Sequence, residues 1–553
     1  MANVRFIREN IVQTADKGDR LLDVARECGV VIESPCNAGG TCGKCKVKID
    51  PKQLDRVLVK KPLPPDEAGQ GYVLACMTEV LGDVDVTTLS GQKNKTLKIV
   101  SEGQSFEVTP DSAVMKAYRD GVTRVYAGET LLCEEKGDTT DRLYGLVVDI
   151  GTTTLVAAVV DLNKGRELAT CSALNPQSLY AQDVLSRIKI ASDEEGLQEM
   201  HDAVTKEINR MAAELCVSSG VPSENIYEAV FSGNTTMIHL AAKINPYSLG
   251  QFPYTPQLYG SCHFPAETLG VNISRYGLVY FPPIISAYVG PDITSGILAS
   301  QLHRRPDTTL FVDIGTNGEM AIGKNGALSA TSTAAGPAFE GMNITFGMRA
   351  SNGAIEYFEI TRDADIVIRT IGDAAPVGIC GSGLLDIVGE LVANKVIDKN
   401  GRFVKPEGSD LPEKLKARLT PYQGKPAFRL VDEVYLTQKD IRQVQLAKGA
   451  VRAGIEYLMS SQGVRAREVG SVLIAGSFGY HLRAKSLLNI GMLPEEFEGR
   501  ISFIGNTSQS GGKAFLMNRG YRREMEALVK TISVIELSTY EDFDKLFVKC
   551  LGF

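Results

Sequence analysis

With 553 residues, 44% hydrophobic and 23% charged, the chain is too long for one core and too apolar for disorder, so two to four globular domains are expected. Its net charge of -7, with no basic cluster, excludes a nucleic-acid footprint. No apolar run reaches the ~18 residues of a membrane span, and the start MANVRFIREN lacks the basic and apolar regions of a secretion signal, so a cytoplasmic protein with no membrane partner is expected.

In chain order, VRFIRE and IVQTA alternate at strand period and predict a hairpin, and RLLDVARECG places Leu22, Val24, Ala25 and Cys28 on a helix. CKVKID and DVDVTTL predict two more strands. Between helix and strand lies PCNAGGTCGKCKVKID, in a chain whose 11 cysteines read as thiols or metal ligands rather than disulfides. Cys36, Cys42, Cys45 and Cys76 form the spacing C-x5-C-x2-C-x30-C, one residue longer in its first gap than the plant-type ferredoxin pattern. Zinc is the competing metal, but zinc ribbons pair short C-x2-C knuckles, whereas here one loop carries three thiols. Gly39, Gly40 and Gly43 allow positive φ and bring N–H donors near cluster sulfurs. Cys28, Cys133, Cys171, Cys216, Cys262, Cys380 and Cys550 are scattered and read as small buried hydrophobes. Residues 1–92 resemble the β-grasp ferredoxins of the C-x5-C type, which implies that the four spaced cysteines ligate a [2Fe–2S] cluster.

SGQKNKTLK reads as a connector, and residues 93–141 form a linking region with no assigned fold. From residue 142 an internal repeat appears: RLYGLVVDIGTTTLVAAVVDLNKG and TTLFVDIGTNGEMAIGKNG each carry an apolar strand, Asp-Ile-Gly-Thr and a second strand, with the aspartates 164 residues apart. A duplicated domain follows, with lobes at 142–300 and 301–553. Asp149 at the end of a buried strand projects a carboxylate into a cleft. Gly151 permits a tight turn, and Thr152, Thr153 and Thr154 offer hydroxyl and N–H donors to phosphate. The carboxylate meets phosphate only through Mg²⁺ and its waters. Asp313, Gly315, Thr316 and Asn317 repeat this arrangement, and Glu319 is expected near the cleft, positioning an attacking water. An ordinary pair of Asp-Gly hairpins is the alternative.

VGSVLIAGSFGYHLR runs an apolar strand into Gly476, Ser477, Phe478 and Gly479, a turn that a flat base could approach. No P-loop and no dinucleotide fingerprint is present. Two phosphate hairpins followed by this turn resemble the ATPase superfamily of sugar kinases, Hsp70 and actin over residues 142–553. In that superfamily ICGSGLLD (379–386) resembles a lobe-linking segment. LTQKDIRQVQLAKGAVRAGIEYL predicts a helix with Thr437 and Asp440 as capping box and Ile441, Val444, Ala447, Val451, Ile455 and Leu458 as its apolar stripe; Lys448 on it either reaches nucleotide or is solvated. SATSTAAGPAFEGMNITFGMRAS (329–351) offers small residues at Ala334, Ala335, Gly336 and Ala338, with Phe339, Met342, Phe346 and Met348 as either a partner surface or ordinary core.

The expected fold class is thus multidomain: a β-grasp (α+β) ferredoxin domain followed by a duplicated α/β ATPase. DIGTTT, DIGTNGE, AAGPAFEG and GSFG behind a ferredoxin module resemble the reductive activators of corrinoid-dependent methyltransferases. That resemblance implies ATP and Mg²⁺ as cofactors beside the cluster, an upstream electron donor, and transfer of one electron to cob(II)alamin of a partner corrinoid protein. A homodimer is compatible with it. A redox-regulated small-molecule kinase and an actin-like assembly ATPase are the other readings; a kinase would phosphorylate a small alcohol or acid, and an assembly protein would polymerise with ATP.

Overall fold

The computed structural model describes residues 1–28, 30, 32, 38, 40, 43, 45–89, 108–476 and 482–553. The chain divides into two compact units, Met1–Thr96 with Pro176–Arg187, and Leu97–Asn175 with Ile188–Phe553.

The first unit is built on a five-stranded sheet in the order Ile11–Ala15, Ala2–Phe6, Val84–Thr88, Lys46–Ile49, Tyr72–Leu74. Alternation decides which side faces inward: Ala2, Val4 and Phe6 are buried while Asn3 and Arg5 face solvent. The helix Leu21–Glu27 lays Leu21, Leu22, Val24 and Ala25 on that buried face, and Cys28 caps its end rather than lying within it. One helix across a mixed sheet of this order is the β-grasp arrangement anticipated from the pattern. Within Pro176–Arg187, Arg187 is fully buried and donates to Ala181 O at 3.0 Å and Gln177 Oε1 at 3.1 Å.

The second unit opens with a three-stranded antiparallel sheet, Val114–Arg119, Val122–Ala127 and Thr130–Lys136, in the stretch to which the sequence assigned no fold. Two six-stranded sheets follow. The first runs Arg166–Leu174, Thr154–Asp161, Tyr144–Ile150, Ile226–Gly233, Leu278–Phe281, Cys262–Pro265. The second runs Ile501–Gly505, Ser471–Ala475, Thr309–Ile314, Gly318–Lys324, Ala327–Thr333, Ser533–Val534. Each contains an antiparallel meander of three strands whose first member pairs in parallel with a later strand, so the repeat in sequence is a repeat in topology. The central strands are apolar along their length because both faces are covered.

Two helices join the sheets. Pro291–Ala299 and Thr507–Met517 cross so closely that a Cβ on Gly511 would lie 2.2 Å from Ser295 O, a distance only glycine permits. Behind them, Arg522 of the helix Arg519–Val529 reaches fully buried Glu228 with two hydrogen bonds of 2.8 Å, and His263 adds a third at 2.8 Å. Burial alone would raise the Glu228 carboxyl, but Arg522 and the His263 hydrogen bond hold it down, at about 2.

The long helix Gln438–Ser461 carries the expected capping box of Thr437 and Asp440, and its apolar stripe is buried. Lys448 is not solvated. It is buried within the lobe and donates to Gly552 O, away from the two Asp-Ile-Gly-Thr hairpins, with burial lowering its ammonium to about 8. In the 329–351 segment Ala335, Ala338 and Phe339 are core, and Phe346 packs against the Tyr422 ring at 5.2 Å. Phe339 is therefore a packing residue and not part of a partner surface.

Removing one member of the buried pair leaves an uncompensated charge. Arg522→Ala is expected to cost about 3–5 kcal/mol in urea unfolding, and Glu228→Gln combined with Arg522→Met to recover most of it. Because the folded Glu228 carboxyl is lowered, its contribution is present at neutral pH and disappears as pH falls toward 2.

Candidate active site

Two centres can be built from the residues up, one in each unit. In the first, Cys45 immediately precedes the strand Lys46–Ile49, and Cys76 lies in the turn Ala75–Met77. Both are buried, their sulfurs are 3.1 Å apart, and Ala75 N donates to Cys45 O at 2.9 Å, which locks the two segments together. Gly40 and Gly43 have φ of 66° and 73°, the left-handed conformation expected of the loop. Cys36 and Cys42 lie outside the described residues, as does Gly39. Soft thiols converging in an apolar setting fit an iron–sulfur group.

In the second unit the two Asp-Ile-Gly-Thr hairpins meet across one cavity. Its lining includes Asp149, Gly151, Thr152, Thr153 and Thr154 from the first hairpin and Asp313, Gly315, Thr316, Asn317 and Glu319 from the second, with Gly476 beside them. Ser477, Phe478 and Gly479 lie outside the described residues. Each hairpin is closed by a backbone bond, Gly151 N to Thr154 O at 2.9 Å and Gly315 N to Asn317 O at 3.0 Å. A side chain at Gly151 would place Cβ 2.6 Å from Thr154 O, so the turn requires glycine. Asp313 and Glu319 are direct cross-strand partners, which carries Glu319 to the cavity.

Five further cavity residues were not singled out from sequence. Asn506 Nδ2 and Ser508 Oγ donate to Asp149 at 2.7 and 2.8 Å, and Asn234 Nδ2 donates to Thr152 Oγ1 at 3.0 Å. Asp292 opens the helix Pro291–Ala299, and Glu340 receives hydroxyl protons from Thr153 and Thr316. The local signals are FSGNTT, VGPDITSG and FIGNTSQSGG, each an apolar stretch or Gly-Pro step entering a helix N-terminus.

The carboxylates crowd one another. Burial, then the neighbouring Asp292 and Asp149, pushes Asp313 up to about 8. Burial also takes Asp292 to about 7 and raises Glu319 well above the usual range, with Asp292 and Asp313 adding to it. Asp149 is raised by burial against the opposing pull of Ser508 and Asn506. Hard oxygen donors that repel one another suit Mg²⁺.

Raised carboxyls make stability fall as pH rises. Asp313 and Asp292 keep their protons in the fold after the unfolded chain, at 3.8, has lost them, so each increment of pH between about 4 and 8 favours unfolding. The metal-free protein should lose about 1–3 kcal/mol between pH 6 and 8 in thermal melts. Mg²⁺ with nucleotide should restore it, and Asp313→Asn should flatten the profile.

Known proteins match this arrangement along the chain. Residues 6–81 match the 2Fe-2S iron-sulfur cluster binding domain, residues 144–305 the RACo middle region, and residues 307–553 the C-terminal domain of RACo, the ASKHA domain. The corrinoid activation enzyme RamQ of Eubacterium limosum is 30% identical over 462 residues, covering 80% of this chain and 77% of that enzyme. The [Co(II) methylated amine-specific corrinoid protein] reductase of Methanosarcina barkeri is 22% identical over 443 residues, covering 73% and 76%. A solved structure of a reductive activator for corrinoid, iron–sulfur protein superposes with a TM-score of 0.75 at 30% identity, covering 100% of this chain and 98% of that one. The chain belongs to the RACo family, reductive activators that join a [2Fe–2S] ferredoxin domain to an ASKHA-type ATPase.

Proposed function

We propose that this chain uses ATP to drive one electron onto cob(II)alamin of a partner corrinoid protein, regenerating cob(I)alamin for methyl transfer. The observation that carries the proposal is the presence in one chain of a thiol-lined ferredoxin unit and a two-hairpin phosphate cavity. Cys36, Cys42, Cys45 and Cys76 would hold the [2Fe–2S] cluster, which supplies a one-electron carrier filled by an upstream donor. Asp149 and Asp313 organise Mg²⁺ at the phosphates, and Thr152, Thr153, Thr154, Thr316 and Asn317 donate to phosphate oxygens. Glu319, facing Asp313 across the hairpin, positions the attacking water. Gly476, Ser477, Phe478 and Gly479 would receive the adenosine.

ATP is required because a one-electron equilibrium shifts tenfold for each ~59 mV, and Co(II) to Co(I) is a demanding reduction. Nucleotide helps only through a two-state element with different affinity for the partner in its two states. The crossing helices Pro291–Ala299 and Thr507–Met517 support that role, since each begins at a cavity carboxylate: one carries Asp292, and the other presents Ser508 to Asp149.

Mixing the reduced protein, MgATP and a corrinoid protein under anaerobic conditions should produce the cob(II) to cob(I) absorbance change. Asp149→Asn and Asp313→Asn should each lower ATP turnover by at least about 100-fold while cluster absorbance stays intact. Cys76→Ala should do the reverse, losing the ferredoxin-like absorbance and corrinoid reduction but retaining ATP hydrolysis. Normal hydrolysis in both aspartate variants would remove the magnesium assignment, and ATP-dependent phosphorylation of a small alcohol or acid would replace the activator by a kinase.

A further inference from the structure

The hydroxyls that crown the two hairpins already share an acceptor. Thr153 Oγ1 and Thr316 Oγ1 lie 3.4 Å apart, and both donate to one carboxylate, that of Glu340, Thr316 to Oε1 at 2.5 Å and Thr153 to Oε2. One side chain therefore bridges the first hairpin to the second. Its backbone is firmly placed: Glu340 ends the short turn Pro337–Glu340, in which Phe339 is buried, and a Cβ on Gly381 would sit 1.7 Å from Phe339 O. On the other side Gly341 takes φ of 77°, and a Cβ there would lie 2.4 Å from Met348 O.

A phosphate oxygen bound by these hydroxyls needs the same two protons. Carboxylate and phosphate cannot share them, because two anions in a partly buried site repel strongly and the donors are too few for both. We propose that Glu340 is an internal competitor for the nucleotide's phosphates. It clasps the two hairpins together and is displaced when a triphosphate takes Thr153 and Thr316. The proposal rests on the phosphate-binding role given to the hairpins above. Both carboxylate oxygens are engaged by hydroxyls, which distinguishes Glu340 from a residue aimed at an attacking water. Displacement swings the Glu340 side chain away from the two hydroxyls, while its backbone stays held on both sides. Glu340 acts here as a positioning residue. The apparent affinity for ATP is reduced by the fraction of molecules in which the clasp is closed, and removing the clasp removes that reduction.

The test uses the full chain with its cluster, with thermal melting as the check on folding. Wild type, Glu340→Gln and Glu340→Ala are titrated with Mg²⁺ and a non-hydrolysable ATP analogue, and separately with adenosine, which has no phosphate. Glu340→Ala should bind the analogue about tenfold tighter and Glu340→Gln about threefold tighter, with adenosine binding unchanged. Should Glu340→Ala fail to fold, Glu340→Gln carries the comparison. Unchanged or weaker analogue binding in a folded variant overturns the clasp, as does an equal gain for adenosine. Unchanged affinity with turnover lowered at least about 100-fold would make Glu340 a water-positioning residue and overturn it as well. Failure of the wild type to bind the analogue would sink the clasp together with the ATPase reading, whereas normal wild-type binding without a gain in the variants sinks the clasp alone.

Discussion

Mutual repulsion among carboxylates at one point is the constraint around which the second unit is organised. Asp149, Asp292, Asp313 and Glu319 come from four different elements, and burial raises all of them. A protein without another use for the site would replace such groups, since each buried carboxyl held neutral forgoes solvation that it had in the unfolded chain. Their assembly makes sense as a receptor for a divalent cation and a polyphosphate, whose charges complete what the protein leaves unbalanced. The duplicated sheet provides two strand ends of the same geometry facing one another, and the glycine turns bring backbone and hydroxyl donors to the same place.

The rest of the scaffold keeps these ends in register. The meander in each sheet fixes the hairpin and the parallel neighbour fixes the strand. The crossing helices then fasten one half to the other through a glycine contact too close for any side chain. The buried Glu228–Arg522 pair ties the helix Arg519–Val529 to the sheet that holds the first hairpin. Coupling by this route is mechanical: a displacement of either helix start is a displacement of a cavity wall.

Much of this was legible in the residues. The repeated Asp-Ile-Gly-Thr strands, the alternation of the ferredoxin sheet and the capping box at Thr437 follow from periodicity and turn chemistry, which are local. What was not legible depends on long-range proximity. Asp292, Asn506 and Ser508 are distant in sequence from Asp149, and an ordinary helix start has the same appearance until folding aims it at a carboxylate. Lys448 was expected in solvent or at nucleotide because lysine is seldom buried, yet a carbonyl near the chain's end accepts its proton. Phe339 lies in a stretch whose small and apolar residues describe a contact surface and a core equally well. Only its burial separates the two.

The ferredoxin unit is not simply the chain's N-terminal piece. It includes Pro176–Arg187, so the backbone passes between the units three times: after Thr96, after Asn175 and after Arg187. The residue before the inserted stretch, Asn175, donates through Nδ2 to Gly151 O at 2.8 Å and through N to Thr153 O at 2.9 Å, both in the first Asp-Ile-Gly-Thr hairpin. A cassette hung on a single tether could be traded between proteins by recombination at one point. This unit includes a second stretch of chain, and the residue covalently before that stretch is hydrogen-bonded to the first hairpin, so removing the unit requires cutting the backbone at three places rather than one.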